Sequence, residues 1–281
     1  MKYKILALDI DGTVVTTDKK VSKRTHDILY SFQKKGGIVL LASGRPEAGM
    51  RHVAQELELD KFGGYILSYN GGKIMQCGTN KIICQTLFPT AYISEIMDFI
   101  RDYPVGINTY LNDKIVASHN INEYTYVESK VTGMEMEIIE DFNTMAQFDI
   151  NKLLMHGDPT VILELEQKLS EKYQGKLGVF KSEPYFLEIV PQGIDKAASI
   201  DKLLKTLGLK KEECIACGDG FNDVSMIKYA GLGVAMANAA PIVKQYANYI
   251  TLTNDQDGVA FVVDKFINYP LHNAQYTMCQ A

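Results

Sequence analysis

Short apolar runs alternate with stretches of helical period at both ends of this chain, and the alternation breaks in the middle. Near the N-terminus, KILALDI reads as a buried strand and GIVLLAS as a second, with a helix over 22–35 between them. Ser22 suits that helix's N-cap and Gly36 the turn behind it. Pro46 suits the first turn of another helix, with Met50, Val53 and Leu57 on its apolar stripe, and YILSYNGG reads as a third strand. After Pro191 the pattern returns: a helix over 195–207 stopped by Gly208, the strand CIACGDG, a helix over 222–230, the strands GLGVAM and YITL, and a helix from Asp257 to Asn268. Runs buried on both faces and separated by helices imply an α/β fold, a doubly wound parallel-sheet (Rossmann-like) core.

The middle has a different grammar. KIMQCGTNKIICQTL reads as a hairpin, and a second hairpin fits across Asn112-Asp113. Ile93, Ile96, Met97 and Ile100 share a helical stripe, while Asp158 and Pro159 open another helix and LGVFKS and YFLEIV read as strands. Hairpins mixed with helices predict an inserted α+β cap domain over 84–188, with the core formed by 1–83 and 189–281. The final dozen residues carry no strong signal and read as a tail.

The net charge of −5 argues against nucleic acid as the main partner, because phosphate-backbone binding needs clustered Lys and Arg. No apolar run approaches the roughly 18–20 residues needed to span a bilayer, so no membrane partner is expected. The run after Lys2 and Lys4 ends at Asp9, too soon for a signal peptide, and a cytoplasmic protein is expected. Five cysteines argue against a disulfide framework; Cys214 and Cys217 have CxxC spacing but lie in a buried strand, where residues three apart point to opposite faces. The five histidines lack metal-ligand spacing, and neither GxGxxG nor GxxxxGK[ST] occurs. Tyr103, Tyr110, Tyr124 and Tyr126 read as core of the insertion before pocket lining.

In doubly wound sheets ligands sit beyond the carboxyl ends of the strands. Those positions carry Asp9 and Asp11, then Ser43, then Asp219 with Asn222 and Asp223, while Lys196 opens the helix after the insertion. Carboxylates aimed at one crevice repel each other and need a cation, and hard oxygens select Mg²⁺. Mg²⁺, a lysine and a serine hydroxyl together fit a substrate phosphate.

DIDGT resembles the DxDGT of the haloacid dehalogenase-like phosphatases. LLASGR, GIDKAASI and GDGFND are similar to their three further motifs, in the same order, and YILSYNGG and NDQDGVA to phrases of the Cof-like subfamily with a C2-type cap. The resemblance covers residues 1–268 and implies roles. Asp9 is the nucleophile that forms an aspartyl-phosphate; Asp11 is general acid, then base; Ser43 and Lys196 hold the transferring phosphoryl group. Asp9, the carbonyl of Asp11, Asp219 and Asp223 serve Mg²⁺, and Gly12, Ser43, Gly44, Arg45, Lys196 and Asn222 face substrate. By their own chemistry Ser43 also suits a helix cap, Arg45 pairing with an acidic neighbour, and Asn70 a turn.

The expected function is a Mg²⁺-dependent phosphatase acting on a small phosphorylated metabolite, such as a sugar phosphate. A phosphotransferase or phosphomutase would use the same core. A non-catalytic metabolite-binding protein would be marked by a lost nucleophile or metal ligand, and a receiver-type switch would need no large insertion. Substrate identity and oligomeric state are not written in these motifs.

Overall fold

The computed structural model describes residues 1–268, so the expected tail, with His272 and Cys279, lies outside the described residues. In chain order the elements are β1 (Ile5–Leu8), α1 (Lys23–Lys34), β2 (Ile38–Ala42), α2 (Arg51–Glu56), α3 (Leu59–Phe62), β3 (Tyr65–Ser68), β4 (Lys73–Gln76), β5 (Lys81–Gln85), α4 (Ile93–Ile100), β6 (Gly106–Leu111), β7 (Lys114–His119), α5 (Glu123–Thr132), β8 (Glu135–Ile138), β9 (Leu153–His156), α6 (Pro159–Lys172), β10 (Leu177–Glu183), β11 (Phe186–Pro191), α7 (Lys196–Leu207), β12 (Cys214–Gly218), α8 (Val224–Tyr229), β13 (Leu232–Ala235), α9 (Pro241–Lys244), β14 (Tyr249–Ile250) and α10 (Gly258–Val263). They group into two compact units. The first holds Met1–Leu41, Gln55–Tyr65 and the chain from Leu204; the second holds Ala42–Ala54 and Ile66–Leu203.

In the first unit the strand order is β14-β13-β12-β1-β2, every pair parallel. The chain leaves β1 toward β2 on one side and returns through β12 on the other. The order therefore reverses at β1, which makes the β1–β12 boundary the topological switch point. Ile5 to Leu8 and Cys214 to Cys217 are wholly buried, as expected of strands covered on both faces. Cys214 and Cys217 are free thiols, and burial pushes Cys214 up to about 12, so they act as packing groups.

In the second unit β3, β4 and β5 are successive neighbours, with β4 and β5 antiparallel. A separate six-stranded sheet has the order β10-β11-β9-β6-β7-β8. The stripe Ile93, Ile96 and Ile100 of α4 and Ile162, Leu165 and Leu169 of α6 pack with Ile107, Met155, Leu187 and Ile189 of that sheet. Asn112 (φ 51°) and Asp113 (φ 63°) both take the left-handed conformation that a two-residue hairpin turn requires.

Local details depart from the sequence reading. Pro46 precedes the helical segment, which opens with a 3₁₀ turn over Ala48–Met50. The helix expected from residue 222 begins at Val224 behind another such turn, and the last helix passes into a π-helical turn over Asp264–Asn268. The elements α5, β8, β9 and α9 had no counterpart in that reading.

Candidate active site

Parallel register pairs Leu8 with Cys217, and the Asp9 N–H donates to the Cys217 carbonyl at 3.0 Å. Asp9 and Asp219 therefore leave neighbouring strands at the same end of the switch point. Asp9, Asp219 and Asp223 each bring a carboxylate oxygen within 4.8 Å of the other two, with Asp9 and Asp223 buried. Three carboxylates this close repel one another, a bound cation would offset that repulsion, and an all-oxygen set fits Mg²⁺.

The surrounding loops fix this geometry. Asp223 Oδ2 accepts from the N–H groups of Asp219 (3.0 Å) and Gly220 (2.9 Å), folding the GDGFND turn back on itself. Thr13 Oγ1 donates to Asp219 Oδ1 at 2.9 Å. Gly12 has φ +74°, and a Cβ there would lie 2.3 Å from Asp219 Oδ2, so only glycine lets the DIDGT turn approach so closely. Asp11 points its carboxylate to Lys19, 2.7 Å away, and lies outside the three-carboxylate cluster. Asn222 sits in the 3₁₀ turn between Phe221 and Asp223.

The sequence reading did not single out Asn238, whose amide donates to the Gly12 carbonyl at 2.8 Å and whose Oδ1 accepts from the Asn254 N–H at 3.1 Å. Asn254 in turn donates to the Val15 carbonyl at 3.0 Å, and Asp255 accepts from the N–H and hydroxyl of Thr17. The phrase NDQDGVA was the available signal: it holds the loop that follows Asp11.

The other expected residues lie in the second unit. Ser43 is buried; its N–H donates to Leu67, its carbonyl accepts from Asn70, and its hydroxyl accepts from the Arg45 N–H at 3.2 Å. Asn70 occupies a turn with φ 54° and packs against Gly44. Arg45 Nη1 donates to the Gly49 carbonyl at 3.2 Å. Lys196 is 1% exposed, and its ammonium donates to the Ala42 carbonyl at 2.8 Å, next to Ser43. Gly71 (φ +110°) lets the turn after β3 press on the start of α7: a Cβ there would meet the Asp195 carbonyl oxygen at 2.5 Å, and Ser199 donates to Gly71 at 2.7 Å. Beside this group, burial pushes the Glu47 carboxyl up, but hydrogen bonds from Lys73 and Arg51 outweigh it and hold Glu47 below the usual carboxylate range.

A reversing parallel sheet with carboxylates gathered at its switch point defines an α/β enzyme that keeps its chemistry at the strand ends. The family is haloacid dehalogenase-like hydrolase, matched over residues 6–263; the chain belongs to it, among the Cof-like phosphatases. The chain is similar to the 5-amino-6-(5-phospho-D-ribitylamino)uracil phosphatase YcsE of Bacillus subtilis, 32% identical over 94% of this chain and 96% of that protein. It also resembles the crystal structure of a haloacid dehalogenase-like hydrolase from Bacteroides thetaiotaomicron, at 42% identity and a TM-score of 0.90 over 95% of this chain and 100% of the other. The phosphatase BT1666 of the same organism matches at 25% identity and a TM-score of 0.80, over 93% and 94%. No helix among the described residues is long and apolar enough to cross a membrane.

Proposed function

We propose that this phosphatase releases phosphate from a small phosphorylated metabolite, with Mg²⁺ bound and through an aspartyl-phosphate on Asp9. The observation that carries the reading is the meeting of the Asp9, Asp219 and Asp223 carboxylates at one strand end. These three, with the carbonyl of Asp11, would hold the metal. Bound there, Mg²⁺ supplies positive charge that lets an anionic nucleophile approach an anionic phosphate.

Asp9 attacks phosphorus as the bond to the leaving oxygen breaks, and Asp11 gives that oxygen its proton. Asp11 then takes a proton from water, which attacks the phosphorus; the bond to Asp9 breaks and its carboxylate is restored. Ser43 and Lys196 hold the oxygens of the transferring group, the ammonium balancing their charge. Gly12, Gly44, Arg45 and Asn222 contact substrate. Residues 84–188 act as the cap that selects the leaving group, and 1–83 with 189–281 as the catalytic core. The relative YcsE, whose named substrate carries its phosphate on a ribityl chain, supports a hydroxylated metabolite as substrate.

A phosphate-release screen over phosphorylated sugars, nucleotides and cofactors tests the reading. Release that requires Mg²⁺ and stops with EDTA is expected. Equal release without a divalent ion, or an isomerised sugar phosphate in place of free phosphate, would overturn it.

A further inference from the structure

The chain behind the DIDGT turn makes a tight hairpin. Val15 and Val21 form an antiparallel bridge, the Thr16 N–H donates to the Lys20 carbonyl at 2.9 Å, and the Lys19 N–H donates to the Thr16 carbonyl at 2.8 Å. That pattern is a three-residue loop over Thr17, Asp18 and Lys19. Its last residue takes the left-handed conformation, where glycine is favoured. Lysine stands there, with φ 61°. A side chain held in that conformation costs stability, and such strain collects at functional sites.

The Lys19 side chain reaches back to Asp11, where its ammonium donates to Oδ1 at 2.7 Å. Both side chains are partly exposed, and an ion pair in water adds little to stability, so the contact does not offset the strain by itself. The hairpin that carries Lys19 is tied down from the other end of the chain. Asp255 accepts from both the N–H and the hydroxyl of Thr17, at 2.8 and 2.7 Å, and Asn254 donates to the Val15 carbonyl at 3.0 Å. Asp11, Lys19 and Asp255 belong to the same compact unit as Asp9 and Asp219. A strained residue on a tethered turn thus brings a cation to the side chain that moves protons in the mechanism above.

Atom by atom, the contact suits that task. A carboxyl group is planar, so an ammonium fixed on Oδ1 also sets the direction of Oδ2. Lysine only donates, and Oδ1 can accept from it whether or not Oδ2 carries a proton. Oδ2 is then the atom that gives its proton to the leaving oxygen and later takes one from water. A group that moves protons gains from a third group that orients it. Asp11 stands apart from the cluster of Asp9, Asp219 and Asp223, as a carboxylate drawn toward Lys19 would.

We propose that Lys19 is a positioning residue for Asp11: from a strained, tethered turn its ammonium holds Oδ1 so that Oδ2 faces the leaving oxygen. The proposal rests on the proton-transfer role given to Asp11 above. Its test measures phosphate release, with Mg²⁺ and the best ester from the screen, in wild type, Lys19→Gly, Lys19→Arg, Asp11→Asn and the double variant Lys19→Gly with Asp11→Asn. In Lys19→Gly, kcat should fall by about 10- to 100-fold with little change in KM. The same variant should melt at a higher temperature than wild type, because glycine relieves the left-handed turn. A residue that served only the fold would lose stability and activity together. Lys19→Arg keeps the cation and should keep most of the activity. Asp11→Asn should lose at least as much as Lys19→Gly, and the double variant should lose no more than Asp11→Asn. A loss in Asp11→Asn with none in Lys19→Gly overturns the proposal and leaves the role of Asp11 standing. A further fall in the double variant also overturns it, because Lys19 would then act on the substrate itself. Wild-type release by Asp11→Asn overturns the role of Asp11 and the proposal with it.

Discussion

At Gly12 a single hydrogen atom keeps the acidic cluster together. A methyl group there would lie 2.3 Å from Asp219 Oδ2 at a φ of +74°. Gly12→Ala should therefore cost about 1–2 kcal/mol in urea denaturation and lower phosphate release by about 100-fold or more. Wild-type release by this variant would show that the approach of DIDGT to Asp219 is dispensable. His156 gives a pH signature. Burial lowers it from 6.5 to about 4, opposite Gly106, where a Cβ would strike its ring. Between those values the unfolded chain binds a proton that the folded chain refuses, so stability falls as pH drops from 6.5 to about 4. The loss is about 3 kcal/mol, complete below the folded value and absent above the unfolded one. Urea titrations at several pH values should show this slope reduced in His156→Gln, and parallel profiles would contradict it. Asp9, Asp219 and Asp223 could be found in the sequence because each follows or closes a strand exit. Asn238 was marked only indirectly, by the phrase NDQDGVA whose Asn254 N–H donates to it, and no strand exit points to it.

Among the elements, those with caps were the legible ones. Ser22 accepts from the Thr25 N–H at the start of α1, and Asp158 with Pro159 opens α6 as their chemistry requires. Helix α5 escaped because it buries Thr125, Glu128 and Thr132 where an apolar stripe would be the signal. Strand β9 escaped because four residues, LLMH, carry too short a period. Its neighbour Lys152 and Glu188 of β11 are both buried and paired at 2.8 Å. Removing one charge strands the other in a dry site. Lys152→Met should cost about 3–5 kcal/mol, and the double change Lys152→Met with Glu188→Leu should recover much of it. Chemical denaturation of the three proteins checks this; losses that simply add would show that the two charges do not depend on each other.

For the whole molecule, the α/β class followed from the alternation of strand and helix, and the order reversal at β1 explains why Asp9 and Asp219 emerge side by side. Strand order itself was not readable, because it depends on pairing between runs at opposite ends of the chain. Mg²⁺ should raise the melting temperature by relieving the mutual repulsion of Asp9, Asp219 and Asp223, and the rise should shrink in Asp219→Asn. A rise of the same size in this variant would place the ion elsewhere. The most direct test is steady-state phosphate release by wild type and Asp9→Asn, with Mg²⁺ and the best substrate from the screen, both proteins checked for native circular dichroism. Release should fall by at least about 10³-fold in the variant, with the fold intact. Release at the wild-type rate would contradict attack by Asp9.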